Sequence, residues 1–392
     1  MNNREKPIWN KHFIIALIGY YFLFMSVSLF FIFPLFLKQF KASNSRIGLI
    51  MGINSLIIIF IRPFFGRLID IEGRKKYSLI GILMMMVCYP FFHLIHDAGW
   101  FPILLRACAG IGWGIGMTAV MTMCSDLAPA ERLAHSMGII GIAGLVSQAT
   151  GPALAEEIIK RYGFGGMFNC AFFFALASFL CILIAPETKF MHKEDANKKE
   201  KILANISLPA FLIICLLPLF HGGGRGTIIY FISLFANSLN IKRVFPFFVT
   251  FSIAAIITRL GLGDLSDKYG RKKIIYPGII LICFNLILIS QINSPTMLYI
   301  TGFIGGFGQG LFFPALSTYI IDILGHKHKG FAISLYLTLF DTGLGIGTPL
   351  FGKIVDLFNY RIMYIITSII LLIVSTIFMI KAPSPGNQIN YT

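Results

Sequence analysis

Long apolar runs, each closed by a few polar or charged residues, succeed one another along nearly the whole chain. About 20 apolar residues cross the hydrocarbon core of a bilayer as a helix. Runs of that length predict spans at 12–37, 46–68, 77–96, 100–124, 134–157 and 166–185, then at 206–234, 244–266, 274–292, 295–323, 330–355 and 360–381. The first run comes after Met1 to Lys11, is longer than a signal-peptide core and has no small-residue cleavage site after it, so it is predicted to remain as the first span. The longest polar stretch, Pro186 to Lys201, falls between the sixth and seventh runs. The chain thus divides into an N-terminal six-helix bundle (1–185), a cytoplasmic linker (186–205) and a C-terminal six-helix bundle (206–392).

Composition agrees with this pattern. With 56% hydrophobic and 13% charged residues, the chain carries more apolar surface than a soluble domain of 392 residues could bury, so the lipid bilayer is its first partner. A net charge of +16 in a soluble protein would point to nucleic acid, but here most Lys and Arg sit in short loops between apolar runs, and no nucleic-acid partner is expected. The seven cysteines are scattered inside apolar segments without CxxC or His/Cys spacing, so neither a metal nor a cofactor is expected.

One charged, glycine-punctuated phrase occurs twice. The first copy runs Arg62-Pro-Phe-Phe-Gly66-Arg-Leu68-Ile-Asp70-Ile-Glu-Gly73-Arg74-Lys75-Lys76, and the second runs Arg259-Leu-Gly-Leu-Gly263-Asp-Leu265-Ser-Asp267-Lys-Tyr-Gly270-Arg271-Lys272-Lys273. Shared positions are displaced by 197 residues throughout (62 to 259, 66 to 263, 70 to 267, 74 to 271), close to half the chain. A whole half was therefore duplicated, as in many transporters. With the N-terminus inside, the cytoplasmic segments hold 20 Lys and Arg and the outer loops 9, while Arg62, Arg106, Arg225 and Arg259 fall inside spans. That asymmetry predicts a multi-pass membrane protein with both termini cytoplasmic, and the compact chain with short loops points to the cell membrane.

The phrase Gly66-x-Leu68-x-Asp70-x-x-Gly73-Arg74-Lys75 resembles the signature of the major facilitator superfamily, and the duplication, the linker and the twelve spans extend the likeness over the whole chain. The resemblance implies an all-α membrane fold of two pseudo-symmetric six-helix bundles. It also implies a conformational latch in which Asp70 lies near the start of span 11 and Arg74 pairs with an acid at the inner end of span 4, where Asp126 stands. Gly263, Asp267, Gly270, Arg271 and Asp322 match as the second copy, with Lys268 keeping the basic residue that Ile71 replaces in the first. Gly66 and Gly73 are expected to permit close approach and a tight turn.

Span 4 reads Arg106-Ala-Cys-Ala-Gly110-Ile-Gly112-Trp-Gly114, similar to the family's Arg-plus-glycines signature with Ala109 in place of the usual Gln. Span 5, with Gly138, Gly141, Gly144, Gly151 and Pro152, partly resembles the signature of drug:proton antiporters, although Ala155 and Glu156 stand near where paired glycines are expected. Span 11 repeats the pattern as Gly343, Gly345, Gly347 and Pro349. Gly144, Gly151, Pro152, Gly345 and Pro349 are expected to serve helix packing.

Substrate sites in such proteins lie near the midplane, often at a broken helix. His221-Gly-Gly-Gly-Arg225-Gly226 in span 7 is the expected break, because consecutive glycines disfavour helix. Asp341, about ten residues into span 11, is the one carboxylate placed near the middle of a span and the first candidate to carry a proton, with Arg106 and His221 as further coupling candidates. Arg225, Tyr21, Phe24, Tyr230 and Tyr336 are cavity candidates, and Arg62 and Arg259, one turn before each phrase, are expected to support the latch.

The leading expectation is a secondary transporter, acting as a monomer, that exports a small organic compound in exchange for protons as two lobes rock about a central cavity. The alternative is proton symport of a sugar, organic acid or osmolyte into the cell. A membrane enzyme would need a nucleophile with a base, or grouped acids, at a membrane face. The acid clusters here belong to the repeated phrase, and no GxxxxGK[ST] phosphate loop occurs. A receptor or scaffold descended from a transporter would bind without flux.

Overall fold

The computed structural model describes residues 9–129, 132–188, 208–263, 265–325 and 329–383. Residues 189–205 of the expected linker lie outside the described residues. The described chain is helical: α1 (Lys11–Ser28), α2 (Phe33–Gln39), α3 (Asn44–Glu72), α4 (Arg74–Phe91), α5 (Trp100–Leu127), α6 (Leu133–Ile184), α7 (Leu208–Ser238), α8 (Phe245–Leu262), α9 (Leu265–Tyr269), α10 (Arg271–Ser290), α11 (Pro295–Leu324), α12 (Lys329–Leu357) and α13 (Tyr360–Lys381). Eleven helical stretches among the described residues are long and apolar enough to cross a membrane. One of them, α6, is 52 residues long and is interrupted at Gly163, whose φ of 69° and ψ of −174° end one helical arm and start the next. Only glycine takes that conformation without strain, and counting the two arms separately restores the twelve expected spans.

Several ends are fixed by side chains that take up the orphan donors of a first turn. Asn10 accepts from the Phe13 amide at 2.9 Å, and Asn359 accepts from the Ile362 amide at 2.9 Å. At α3, Ser43 accepts from the Arg46 amide at 3.2 Å, while Asp356 accepts from the Asn44 and Ser45 amides at 2.7 and 2.8 Å.

The described residues fall into two compact units, one taking those of Met1–Phe36 and Ile57–Lys199, the other those of Leu37–Leu56 and Glu200–Thr392. The division departs from the expected halves in one respect, since Leu37–Leu56 joins the second unit. The reason is local. A Cβ on Gly48 would fall 2.6 Å from the Thr348 carbonyl, one on Gly52 would fall 2.6 Å from the Gly345 carbonyl, and one on Gly345 would fall 2.7 Å from Leu56. The first half of α3 therefore lies directly against α12, and Asp356 holds its first turn.

Helices in lipid gain little from burying apolar surface against each other, so close backbone approach between small residues carries the association. In the first unit, a Cβ on Gly81 of α4 would fall 2.3 Å from the Gly116 amide of α5, and one on Gly151 of α6 would fall 2.5 Å from Ser28 of α1. Gly144 differs from the expectation of tight packing, because its nearest neighbours, Phe24 and Tyr20, are at ordinary contact distances of 3.7 and 3.8 Å.

In the second unit the glycine run of α7 is not a break. The helix is continuous from Leu208 to Ser238. A Cβ on Gly222 would fall 2.0 Å from the Phe340 carbonyl, and one on Gly343 would fall 1.7 Å from the Leu219 carbonyl. Propensity predicts breakers, but these glycines are the surface on which α7 and α12 touch, and tertiary packing overrides propensity. Gly343→Ala is expected to destabilise the fold by about 2 kcal/mol through overpacking, whereas Gly138→Ala, which meets nothing within 4 Å, should hold or raise stability. Thermal unfolding of the two purified variants checks this contrast.

Candidate functional site

The two copies of the repeated phrase form matching ion-pair clusters at the junctions of α3 with α4 and of α9 with α10. Gly73 and Gly270 connect the helices with φ of 107° and 97°, a region that side chains rarely adopt, which explains the glycine in both copies. In the first copy Arg74 is buried, its Nη2 3.1 Å from Asp70 Oδ1 and its Nε 3.0 Å from Asp126 Oδ2. Its Nη1 also donates to the carbonyls of Ile69 and Asp70, both at 2.9 Å. In the second copy Arg271 pairs with Asp267 and donates from Nε to Asp322 Oδ2 at 2.9 Å. Gly66, by contrast, has nothing within 4 Å of a Cβ position, so no close approach requires glycine there.

Residues just past α6 complete the first cluster, and no spacing signal in the sequence marks them. Glu187 Oε1 accepts from the Arg74 and Lys75 amides at 2.9 and 3.0 Å, capping α4, and Thr188 Oγ1 donates to Asp126 Oδ2 at 3.0 Å. The place after α13 is used in a similar way: Lys272 Nζ donates to the Ala382 carbonyl and Tyr319 to the Pro383 carbonyl. Asp70 is the outlier electrostatically. Burial holds its carboxyl above the ordinary value, Arg74 works against that rise, and Asp126 adds to it.

Among the candidates in the first unit, Arg106 of α5 is buried at 5% exposure, with its guanidinium carbon 5.6 Å from the Phe30 ring centre and Tyr89 within electrostatic reach. It is turned into the bundle. Phe24 meets Trp113 edge-on at 4.8 Å and Tyr20 at 4.7 Å, and Tyr21 lies 3.3 Å from Thr150 Oγ1. Trp113 and Thr150 join this aromatic wall, although sequence reading alone does not single them out.

Among those in the second unit, His221 is 1% exposed. Its Nε2 lies 2.9 Å from Gln309 Oε1, and its ring packs on Phe312 at 4.7 Å and Phe340 at 5.3 Å. Arg225 is buried with its guanidinium carbon 4.0 Å from the Phe251 ring centre, and Tyr230 is buried beyond it on α7. Tyr336 is buried between Phe313 and Phe340, with both Asp341 and Arg259 within electrostatic reach. Arg259 stands 5.4 Å over Phe313, beside Tyr336. Its position on α8 turns it toward the neighbouring helices, which sequence adjacency to the phrase does not reveal. Asp341 is half-buried near the middle of the 29-residue α12.

A wide groove of ≈ 480 Å³ lies elsewhere, between α1 and the second arm of α6. Its walls, including Phe22, Phe173 and Phe174, are almost wholly apolar and contain none of the candidate residues.

The same ion-pair cluster thus recurs at the same junction of both halves. The Major Facilitator Superfamily model matches residues 13–284 and 214–390, and the chain belongs to that family. It is 25% identical over 383 residues to the multidrug resistance protein MdtG of Dickeya zeae (93% of each chain), and 23% identical over 381 residues to MdtG of Escherichia coli strain SMS-3-5 (93% of each). In fold it resembles a bacterial homologue of the human lysosomal transporter Spinster (TM-score 0.77, 14% identity, 96% of this chain and 97% of that one). It also resembles the human organic anion transporter MFSD10 (TM-score 0.70, 15% identity, 95% and 100%). The chain is a multi-pass membrane transporter, and its family and relatives are transporters rather than enzymes.

The two clusters differ in burial, with Arg74 side-chain exposure at 8% and Arg271 at 17%. Asp126→Ala removes one of two carboxylates from the more deeply buried guanidinium, leaving it the half-exposed Asp70, and should cost about 1.5–3 kcal/mol, while Asp322→Ala should cost less. Asp70→Asn alters a half-exposed partner of Arg74, so it should cost the least. Melting temperatures of the three variants in one detergent test this order.

Proposed function

We propose that this protein exports small organic compounds across the bacterial inner membrane in exchange for protons, by rocker-switch alternating access, as a monomer with both termini in the cytoplasm. Its end-to-end likeness to MdtG proteins, whose name describes multidrug resistance, is the observation that carries this reading. The Asp70–Arg74–Asp126 and Asp267–Arg271–Asp322 clusters serve as latches whose making and breaking shift the balance between the two access states.

Asp341 is the proton carrier in this reading. A carboxylate in a span is costly when charged and cheaper when neutral, and the tyrosine and arginine near it offer a changing partner set as it titrates. Arg106 of α5 and Arg225 of α7 act as fixed charges, and His221 is held against Gln309. Tyr21, Phe24 and Tyr230 contribute aromatic surface toward substrate.

Inverted membrane vesicles acidified inside decide the direction. Export in exchange for protons accumulates a fluorescent cationic dye in the lumen and is abolished by a protonophore, whereas proton symport into the cell drives no such accumulation. Asp341→Asn should abolish uphill movement yet retain dye binding, and full proton-driven accumulation in that variant would remove Asp341 from the mechanism.

A further inference from the structure

His221, Arg225, Asn285 and Gln309 line a small chamber enclosed by α7, α8, α10 and α11, with Phe251 and Gly305 completing its wall. The space open to the centre of a water-sized sphere is ≈ 10 Å³, close to the least that holds one water, about 10–15 Å³. Two of its side chains are wholly buried with atoms that have no protein partner: Nδ1 of His221, and both polar atoms of the Asn285 carboxamide. Such atoms are costly inside a bundle unless something meets them.

The identities of those atoms select the ligand. Gln309 Oε1 can only accept, so its 2.9 Å contact puts the hydrogen of His221 on Nε2 and leaves Nδ1 a lone pair. Nδ2 of Asn285 lies against Gly305, where a Cβ would fall 2.5 Å from it and 3.5 Å from Oδ1. The wall thus presents two unpartnered acceptors, His221 Nδ1 and Asn285 Oδ1, and one unpartnered donor, Asn285 Nδ2, against Gly305. A halide brings no hydrogen to either, and a metal cation would face the Arg225 guanidinium on the same wall.

We propose that this chamber binds a single water molecule, which donates one hydrogen to Nδ1 of His221 and the other to Oδ1 of Asn285. The site ties α7 to α10 through the water and to α11 through Gln309. It is peculiar to the second half, since the positions 197 residues earlier are Phe24, Cys88 and Gly112 in place of His221, Asn285 and Gln309. Duplication alone therefore does not account for the polar set. The proposal does not depend on the direction of transport or on the coupling ion.

X-ray radiolytic labelling of the purified full chain reads it, because hydroxyl radicals form from bound water and oxidise the side chains beside it. His221 should be oxidised several-fold faster than Tyr364, which is also wholly buried, and the rate should fall to that of Tyr364 in Asn285→Leu. Gly305→Ala, which keeps every polar group but presses on the carboxamide, should lower it as well and serves where Asn285→Leu does not fold. A double-mutant cycle on melting temperature adds a second reading: His221→Phe and Asn285→Leu should be non-additive, the pair costing no more than the worse single change. Labelling of His221 no faster than Tyr364, or strictly additive shifts, would overturn the proposal.

Discussion

Helices that share a lipid solvent have no apolar surface to hide from water, so what holds each unit together is how closely backbones can approach. Glycine faces make that approach possible at α4 on α5, at α6 on α1, at α7 on α12 and at the first half of α3 on α12. The same constraint decides where polar groups can stand. A carbonyl pressed against a glycine on the next helix leaves little room for a side chain between them. The Arg74 and Arg271 clusters accordingly stand at helix junctions, and Arg225 stands at the chamber beside Gly305.

The junctions show how one duplicated device was kept and varied. Both copies turn on a glycine with positive φ and both centre an arginine between two aspartates. They differ in the segment just past the sixth span of each half. Glu187 accepts two amides at the start of α4, whereas Ser384 stands 197 residues later in the sequence. A carboxylate at a helix start is favoured by the helix dipole as well as by its hydrogen bonds. The first junction thus gains two charge-assisted bonds from Glu187, and the segment leading out of α6 is part of its cluster.

The ion pairs were legible in the sequence because each partner lies either four residues away on the chain or at a span end marked by the repeat. The span count was legible for the same reason, since length and apolarity are local properties, and only Gly163 blurred two spans into one helical run. The α7 glycines mislead. Propensity describes an isolated helix, while their neighbours, Leu219, Phe340 and Gly343, come together only in the folded unit. Glu187 on α4, Asp356 on α3 and Gln309 on His221 were invisible for a related cause: each partner is a long-range neighbour with no spacing signal to announce it.

The assignment of Leu37–Leu56 to the second unit draws these points together. Residues 57–72 of α3 belong to the first unit, and the same helix continues unbroken from Asn44 to Glu72. Its outer end is held by hydrogen bonds from two backbone amides and the Asn44 side chain to Asp356, and Tyr360 donates to Asn44 Oδ1 at 2.7 Å. These bonds are charge-assisted and reversible, unlike the interlocked carbonyl and glycine contacts of α7 with α12. The helix thus belongs to the second unit by residues 44–56 and to the first by residues 57–72. Its outer end is fastened by hydrogen bonds that water can replace, while inside each unit α4 on α5 and α7 on α12 are fastened by fit, which water cannot replace.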